Sequence, residues 1–247
     1  MIRGWRRTGV GLAAFVVCLP LTAAGQTAAR IDRGYAGVSG VLQSSSSFSN
    51  TVRPIDFAEA AVVDTGYKSG AMPGIEFGGG VHVWRRLSAG VEVSWVSKDA
   101  TGAVSAQVPH PFFFARPRSV SGDATGLGHS ETAVHIQATW TAPLTNRWRL
   151  AVAGGPSWFS VAQDLVSDVT VNQTYPYDTA TFAGATSVHR SGSQIGFNAG
   201  ADVSYWLRPR LGIGVGMMFS RASVKLDDTA TIDAGGPHLN AGIRFRF

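Results

Sequence analysis

The chain has 247 residues, 30 of them glycine, with 10% aromatic and only 15% charged residues, which suits one sizeable domain or two small ones. Lysine is confined to Lys68, Lys98 and Lys225, a thinner charged dressing than a water-soluble surface of this size carries. The formal charge is +5; without Arg3, Arg6 and Arg7 of a removable leader, 18 basic against 16 acidic residues leave +2, which excludes nucleic acid as an electrostatic partner.

Residues 1–25 read as that leader. Arg3, Arg6 and Arg7 form a basic start, Val10 to Leu21 an apolar stretch, and "TAAGQ" offers a cleavage point near Ala24 or Gly25. The apolar stretch is too short to span a membrane, and Pro20 ends it. Arg6-Arg7 is ordinary basic charge, because Thr8, Gly9, Val10 and Gly11 follow where a twin-arginine signal needs hydrophobic residues. Cys18 lies inside the apolar stretch after Val17 and leaves with it, so the mature chain is expected to hold no disulfide, thiolate nucleophile or Cys-ligated metal.

Alternation then runs through the chain, since successive side chains of a strand point to opposite faces. Gly34 to Gln43 is a first segment, with Ala36, Val38 and Leu42 on its apolar side. Ile75, Phe77, Gly79, Val81 and Val83 alternate with Glu76, Gly78, Gly80 and His82. Ala89, Val91, Val93 and Trp95 oppose Gly90, Glu92 and Ser94; Val134, Ile136, Ala138 and Trp140 oppose His135, Gln137 and Thr139. Trp148, Leu150, Val152 and Trp158 share a parity opposite Arg149, Ala151, Ala153 and Ser157. Ile195 to Tyr205 set apolar residues against Asn198, Asp202 and Ser204, and Leu211 to Phe219 set them against Gly212, Gly214, Gly216 and Ser220. The last segment, "PHLNAGIRFRF", places Leu239, Ala241, Ile243, Phe245 and Phe247 opposite His238, Asn240, Arg244 and Arg246.

These are eight segments of about ten residues, the length a tilted strand needs to cross a bilayer, and no helical-period stripe or apolar 20-mer competes. The links alternate too. "WRRL", "APLTNR" and "LRPR" are short, whereas Ser44 to Met72, Lys98 to Ser130 and Ala162 to Ser191 are long, with a shorter seventh link from Ser223 to Gly236. An up-and-down sheet puts alternate links at opposite ends, so one rim is tight and the other carries the bulk. The predicted fold is all-β, an eight-strand transmembrane antiparallel barrel over 34–247 with short periplasmic turns and long extracellular loops.

In such a barrel the apolar face meets lipid, and the polar residues Glu76, His82, Glu92, His135, Arg149, Asp202, Arg244 and Arg246 line the lumen, where three acids can pair with three arginines. Gly212, Gly214 and Gly216 leave room for the arginines of the last strand. Trp84, Trp148 and Trp206 flank the short turns with Trp140 nearby, and Trp95 and Trp158 sit near the opposite strand ends, as two aromatic girdles.

With its alternating strands, "AVAGGPSWF" and above all "GIRFRF", the chain from Gly34 to Phe247 resembles the small outer-membrane barrels of the OmpA and OmpX type, in the outer membrane protein β-barrel domain group of Gram-negative bacteria. The resemblance implies residence in the cell outer membrane, contact with outer-membrane lipid and lipopolysaccharide, and a final strand whose Phe245 and Phe247 are read by the barrel-assembly machinery. It does not fix an activity. With no peptidoglycan-binding domain after the barrel, a wall-anchor role is not expected.

Rival chemistry is weaker. A lipid A deacylase resembles a barrel with a His-x-Ser-Asn motif, but His129 and Ser130 in "GHSETAVH" are adjacent and face opposite ways, and "PHLN" has Leu239 and Asn240 in the wrong places. His129 and Glu131 share a parity, about 7 Å apart along a strand, with His135 too far to join one metal ion, and loop residues His110 and His189 complete no site. "SSSSFSN" at Ser44 to Asn50 reads as a flexible loop; "PHPFFFARPR" at Pro109 to Arg118 reads as packed against other loops or extending the wall. The alternating glycines of Leu211 to Phe219 lack the following helix of a nucleotide loop. No cofactor and no catalytic or metal residue is expected. The leading function is a non-enzymatic barrel with surface-exposed loops; a narrow porin-like pore is the alternative, and a lipid A-modifying hydrolase or a soluble lipocalin-like binder ranks below it.

Overall fold

The computed structural model describes residues 33–227 and 230–247, so the expected leader and Cys18 lie outside the described residues. Fourteen strands follow in order: β1 Gly34–Gln43, β2 Ser47–Val52, β3 Ile55–Asp56, β4 Glu59–Ala60, β5 Val62–Lys68, β6 Met72–Trp84, β7 Leu87–Ser97, β8 Ala100–Val108, β9 Arg118–Leu127, β10 His129–Pro143, β11 Trp148–Gln173, β12 Ala180–Arg208, β13 Leu211–Lys225 and β14 Thr231–Arg246. Eight of them close a barrel in the order β1-β14-β13-β12-β11-β10-β7-β6, which removes the unpaired edges that hydrocarbon does not tolerate.

Closure is made where β1 meets β14, from Tyr35 opposite Arg246 to Gln43 opposite His238. The two strands run so close that a Cβ on Gly242 would lie 2.0 Å from the Val38 carbonyl oxygen. Gly242→Ala is therefore expected to force the seam apart and cost about 1–3 kcal/mol, read as a lower midpoint in heat-modifiable gel migration.

One side-chain parity keeps its direction along each strand while its chemistry reverses. On β13, Ile213, Val215, Met217 and Phe219 are exposed on the outer wall, and their span at about 3.4 Å per residue and a tilt near 40° covers most of the ~25 Å lipid band of a membrane barrel. Beyond Phe219 the same outward parity carries Arg221, Ser223 and Lys225, while the inward one changes from Gly212, Gly214 and Gly216 to the buried Ala222 and Val224. On β14, outward Leu239, Ile243 and Phe245 give way to outward Asp233, and inward His238 and Asn240 to inward Ile232 and Ala234. Below that level the barrel is apolar outside and polar inside; above it, the wall is built like a water-soluble protein. A soluble lipocalin-like binder needs the apolar face turned inward along the whole wall, and here the lower wall is turned outward.

The upper structure is a folded head. Where long loops were expected, β2-β5-β8-β9 form a four-stranded sheet, and β11 and β12 continue paired up to Gln173 opposite Ala180. This sheet and the upper barrel strands enclose an apolar core that includes Val63, Tyr67, Val104, Phe159, Leu165, Val224 and Ile232. β9 lies against β12 at Gly122, where a Cβ would meet the Phe182 ring at 2.2 Å. The polar run at Ser44 to Asn50 is likewise ordered: Ser47 starts β2, and Phe48 stacks on Tyr67 with centroids 4.4 Å apart. Its serines alternate with Phe48, a half-buried strand pattern masked by low-complexity composition.

Tyr67 fastens the sheet to the barrel. Its hydroxyl accepts a 2.7 Å hydrogen bond from the Val166 N–H, and burial pushes its phenol above the ordinary value, against the pull of that bond. Tyr67→Phe orphans a buried N–H and is expected to cost about 1–3 kcal/mol, measured by chemical unfolding in detergent.

Candidate functional site

The inner face of the barrel gathers polar residues in three levels. At the tight-turn mouth, Trp206 is only 8% exposed and closes the opening, with the guanidinium groups of Arg246 and Arg149 at 4.2 and 5.5 Å from its ring centroid. This corrects its placement in the aromatic girdle: Trp206 shares the inward parity of Asp202 and Ser204 and pairs with Gly212, whose missing side chain makes space for the indole. Trp84, Trp95, Trp140, Trp148 and Trp158 stay exposed on the outer wall. His82 is bonded to Ser88 at 3.0 Å and to the Arg85 carbonyl, at the rim.

At mid-lumen, Arg244 donates to Asp202 at 2.7 Å, to Ser39 at 2.6 Å and to the Asn240 oxygen at 3.3 Å. Gly214 makes this possible, because a Cβ there would lie 3.0 Å from Arg244 Nε and 3.1 Å from Asp202 Oδ2. The other two acids of the expected network are placed differently. Glu76 is held by Asn240 at 3.1 Å, with His238 3.9 Å away, and Glu92 has a buried Oε1 with no hydrogen-bond partner.

Above this, His135 lies between Ser157 at 2.7 Å and Ser94 at 3.3 Å. Its second nitrogen faces a hydroxyl rather than the carboxylate that orients a catalytic histidine, and the ring is 1% exposed. Asn198 donates to Ser157 at 2.8 Å and accepts from Gln137 at 3.2 Å.

The upper level is a cluster that strand spacing alone concealed. His129 and Glu131, about two strand residues apart, turn their ends together to 3.0 Å. Glu131 Oε2 accepts from Gln43 at 3.0 Å and from the Gly235 N–H at 2.8 Å. Gln163 Nε2 donates to the Asp164 carbonyl, so its Oε1 accepts from His129 Nδ1 at 2.7 Å. Each polar atom of this buried pair thus has a partner, which offsets the cost of its burial. Among the described residues no three His, Cys, Asp or Glu side chains converge as a metal site.

The outer surface differs from the sequence reading at "PHPFFFARPR". Phe112, Phe113 and Phe114 are 66%, 54% and 75% exposed at the tip of the head, although the segment also meets its neighbours as expected: Phe112 lies edge-on to Tyr177 with centroids 5.5 Å apart, and Arg116 pairs with Asp178 at 3.2 Å. The base of this link is packed. His110 is buried and accepts from the Phe112 and Phe113 N–H groups at 3.1 and 3.3 Å, and Arg118 donates to the Pro109 carbonyl, Gln173 and the Tyr177 carbonyl at 2.6–3.0 Å. The adjacent tips contribute exposed Ile55, Phe57 and Tyr175.

No family model and no curated protein matches the chain. Among solved structures it is similar to Neisserial surface protein A, at 12% identity over 87% of this chain and 97% of that chain with a TM-score of 0.48. It is also similar to the outer membrane protein OprG of Pseudomonas aeruginosa, at 8% over 87% and 96% with a TM-score of 0.47, and to the outer membrane protease OmpT of Escherichia coli, at 9% over 88% and 97% with a TM-score of 0.45. No role passes from any of them at such identity. The closed ring of eight strands, with an apolar belt outside and a polar interior, makes the chain a small β-barrel of the transmembrane kind.

Proposed function

We propose that the chain is a non-enzymatic outer-membrane barrel whose folded head is its working part, carrying an interaction surface away from the membrane. The observation that carries this reading is the run of three solvent-exposed phenylalanines on a rigid base; a tip kept only for solubility has no use for them. From Phe159 to Gln173 the paired strand lifts the tip by about 45 Å of chain. Lipid and lipopolysaccharide surround the belt, and Phe245 and Phe247 present the strand end to the barrel-assembly machinery.

The test replaces Phe112, Phe113 and Phe114 together by Ser. Stability is expected to stay within about 0.5 kcal/mol, because the rings bury little, while adherence of expressing cells to surfaces or to one another falls to that of cells without the protein. Unchanged adherence by a folded variant, or adherence no greater with wild type than without it, overturns the reading.

A pore is disfavoured by the burial of Ser39, Glu76, His135, Asn198 and Met218 across the lumen and by the apolar core above them. Planar bilayers holding the wild-type protein are expected to give no reproducible conductance steps; regular steps would restore the pore reading.

A further inference from the structure

We propose that the tight-turn rim binds anionic phospholipid headgroups of the periplasmic leaflet, in the hollow between Trp84 and Trp140. The first ground is charge. Segments 81–89, 141–151, 203–213 and 243–247, which build the three tight turns and the strand end beside them, contain no Asp or Glu, yet Arg85, Arg86, Arg147, Arg208 and Arg210 are exposed there. The head at the opposite end carries most of the acids, so the barrel is polarised along its axis, and its tight turns are positively charged.

The second ground is order. The carbonyls of Arg33, Arg86, Arg147 and Arg210 accept hydrogen bonds of 2.8–3.2 Å from the N–H groups of His82, Thr141, Trp206 and Arg246, each on a neighbouring strand. These bonds hold the arginine backbones in a ring, and the Arg147 guanidinium is held further by a 3.1 Å hydrogen bond to the Tyr205 hydroxyl.

The third is the hollow itself. Trp84, Arg85, Arg86, Leu87 and Trp140 border a shallow, open hollow of about 390 Å³ on the outer wall, with the Arg85 guanidinium 4.8 Å from the Trp84 ring centroid. Two indoles and a leucine beside two cations fit an amphiphile, with phosphate on the arginines and glycerol and upper acyl chain against the rings. A soluble anion gains nothing from that apolar wall.

The fourth is strain. Trp84 pairs with Leu87, so Arg85 and Arg86 are the two central residues of a tight hairpin, and Arg85 has φ +50°. Gly and Asn adopt that left-handed conformation with less strain and are the usual choice in such turns. The strained arginine places a cation over the hollow at a position where an uncharged glycine or asparagine would fit the backbone more easily.

The test uses the mature barrel in detergent, titrated with equimolar phosphatidylglycerol and phosphatidylethanolamine and read by native mass spectrometry. Wild type is expected to retain phosphatidylglycerol in preference, and the double variant R85G/R86S to lose at least about fivefold of that preference. R85G alone should melt no lower than wild type, since glycine relieves the turn. R86Q, which leaves the hairpin geometry alone, supplies the measurement should the double variant fail to fold, and is also expected to lose preference. Equal retention of both lipids by wild type, or undiminished preference in folded R86Q and R85G/R86S, overturns the proposal. Displacement of phosphatidylglycerol by millimolar inorganic phosphate overturns it as well, because the hollow would then be a site for free anions.

Discussion

Phe159→Ala is expected to lower the stability of the barrel by about 3–5 kcal/mol, read as a shift in the chemical unfolding midpoint in detergent. Phe159 is 1% exposed, and its ring meets His135 edge-on with centroids 5.8 Å apart. It stands where the polar lumen ends and the apolar core of the head begins, so its removal leaves a void that belongs to neither. Part of the loss is recovered only if water enters to solvate His135, Ser157 and Ser94. Phe159→Leu, which keeps most of the volume, should lose less than half as much. A Phe159→Ala protein as stable as wild type would mean that the head does not pack onto the lumen.

Arg244→Ala has the other large expected effect, about 2–4 kcal/mol. Asp202 would remain in the lumen without its cation, and Ser39 and Asn240 would each lose a hydrogen bond. These three partners lie on β12, β1 and β14 itself, so one guanidinium ties the closing strand to the strand before its neighbour on one side and to the first strand on the other. The desolvation of Asp202 is incomplete, which keeps the loss below that of a fully buried pair. Arg244→Lys keeps the charge but not the planar fork, and should fall between wild type and alanine. Asp202→Asn in the Arg244→Ala background is expected to return part of the stability, because it removes the uncompensated charge.

The barrel was legible in the sequence because its signal is local. Alternation at Ile213 to Phe219 or Leu239 to Phe247 is set by residues two apart, and the tightness of "WRRL" or "LRPR" by chain length alone. The upper structure was less legible for a physical reason. Above the girdle both faces of a strand can be small or polar, as in Ser119 to Gly126, so a strand of the head and a surface loop have the same composition. Trp206 was misplaced by its position beside a turn; its parity with Asp202 and Ser204 held the better clue. The His129–Glu131 cluster needed Gln43, Gln163 and Gly235 from three other strands, and no spacing within one strand announces that meeting. At the tip, the sequence showed three phenylalanines but not that Phe112 would meet Tyr177 of another link while Phe114 stands 75% exposed, because that depends on how two distant links fold beside one another.

The central physical claim is that one wall has two solvents, with the change falling between Phe219 and Arg221. Single nitroxide labels at 215, 217, 219, 221, 223 and 225, in the barrel reconstituted into bilayers, test it most directly. The first three are expected to be relaxed by dissolved oxygen and shielded from a water-soluble nickel chelate, the last three the reverse, with the crossover at 220 ± 1 on this strand and near 236 on its partner β14. A wall relaxed by the chelate along its whole length, or labels at 215 to 219 shielded from both relaxants, would contradict the account.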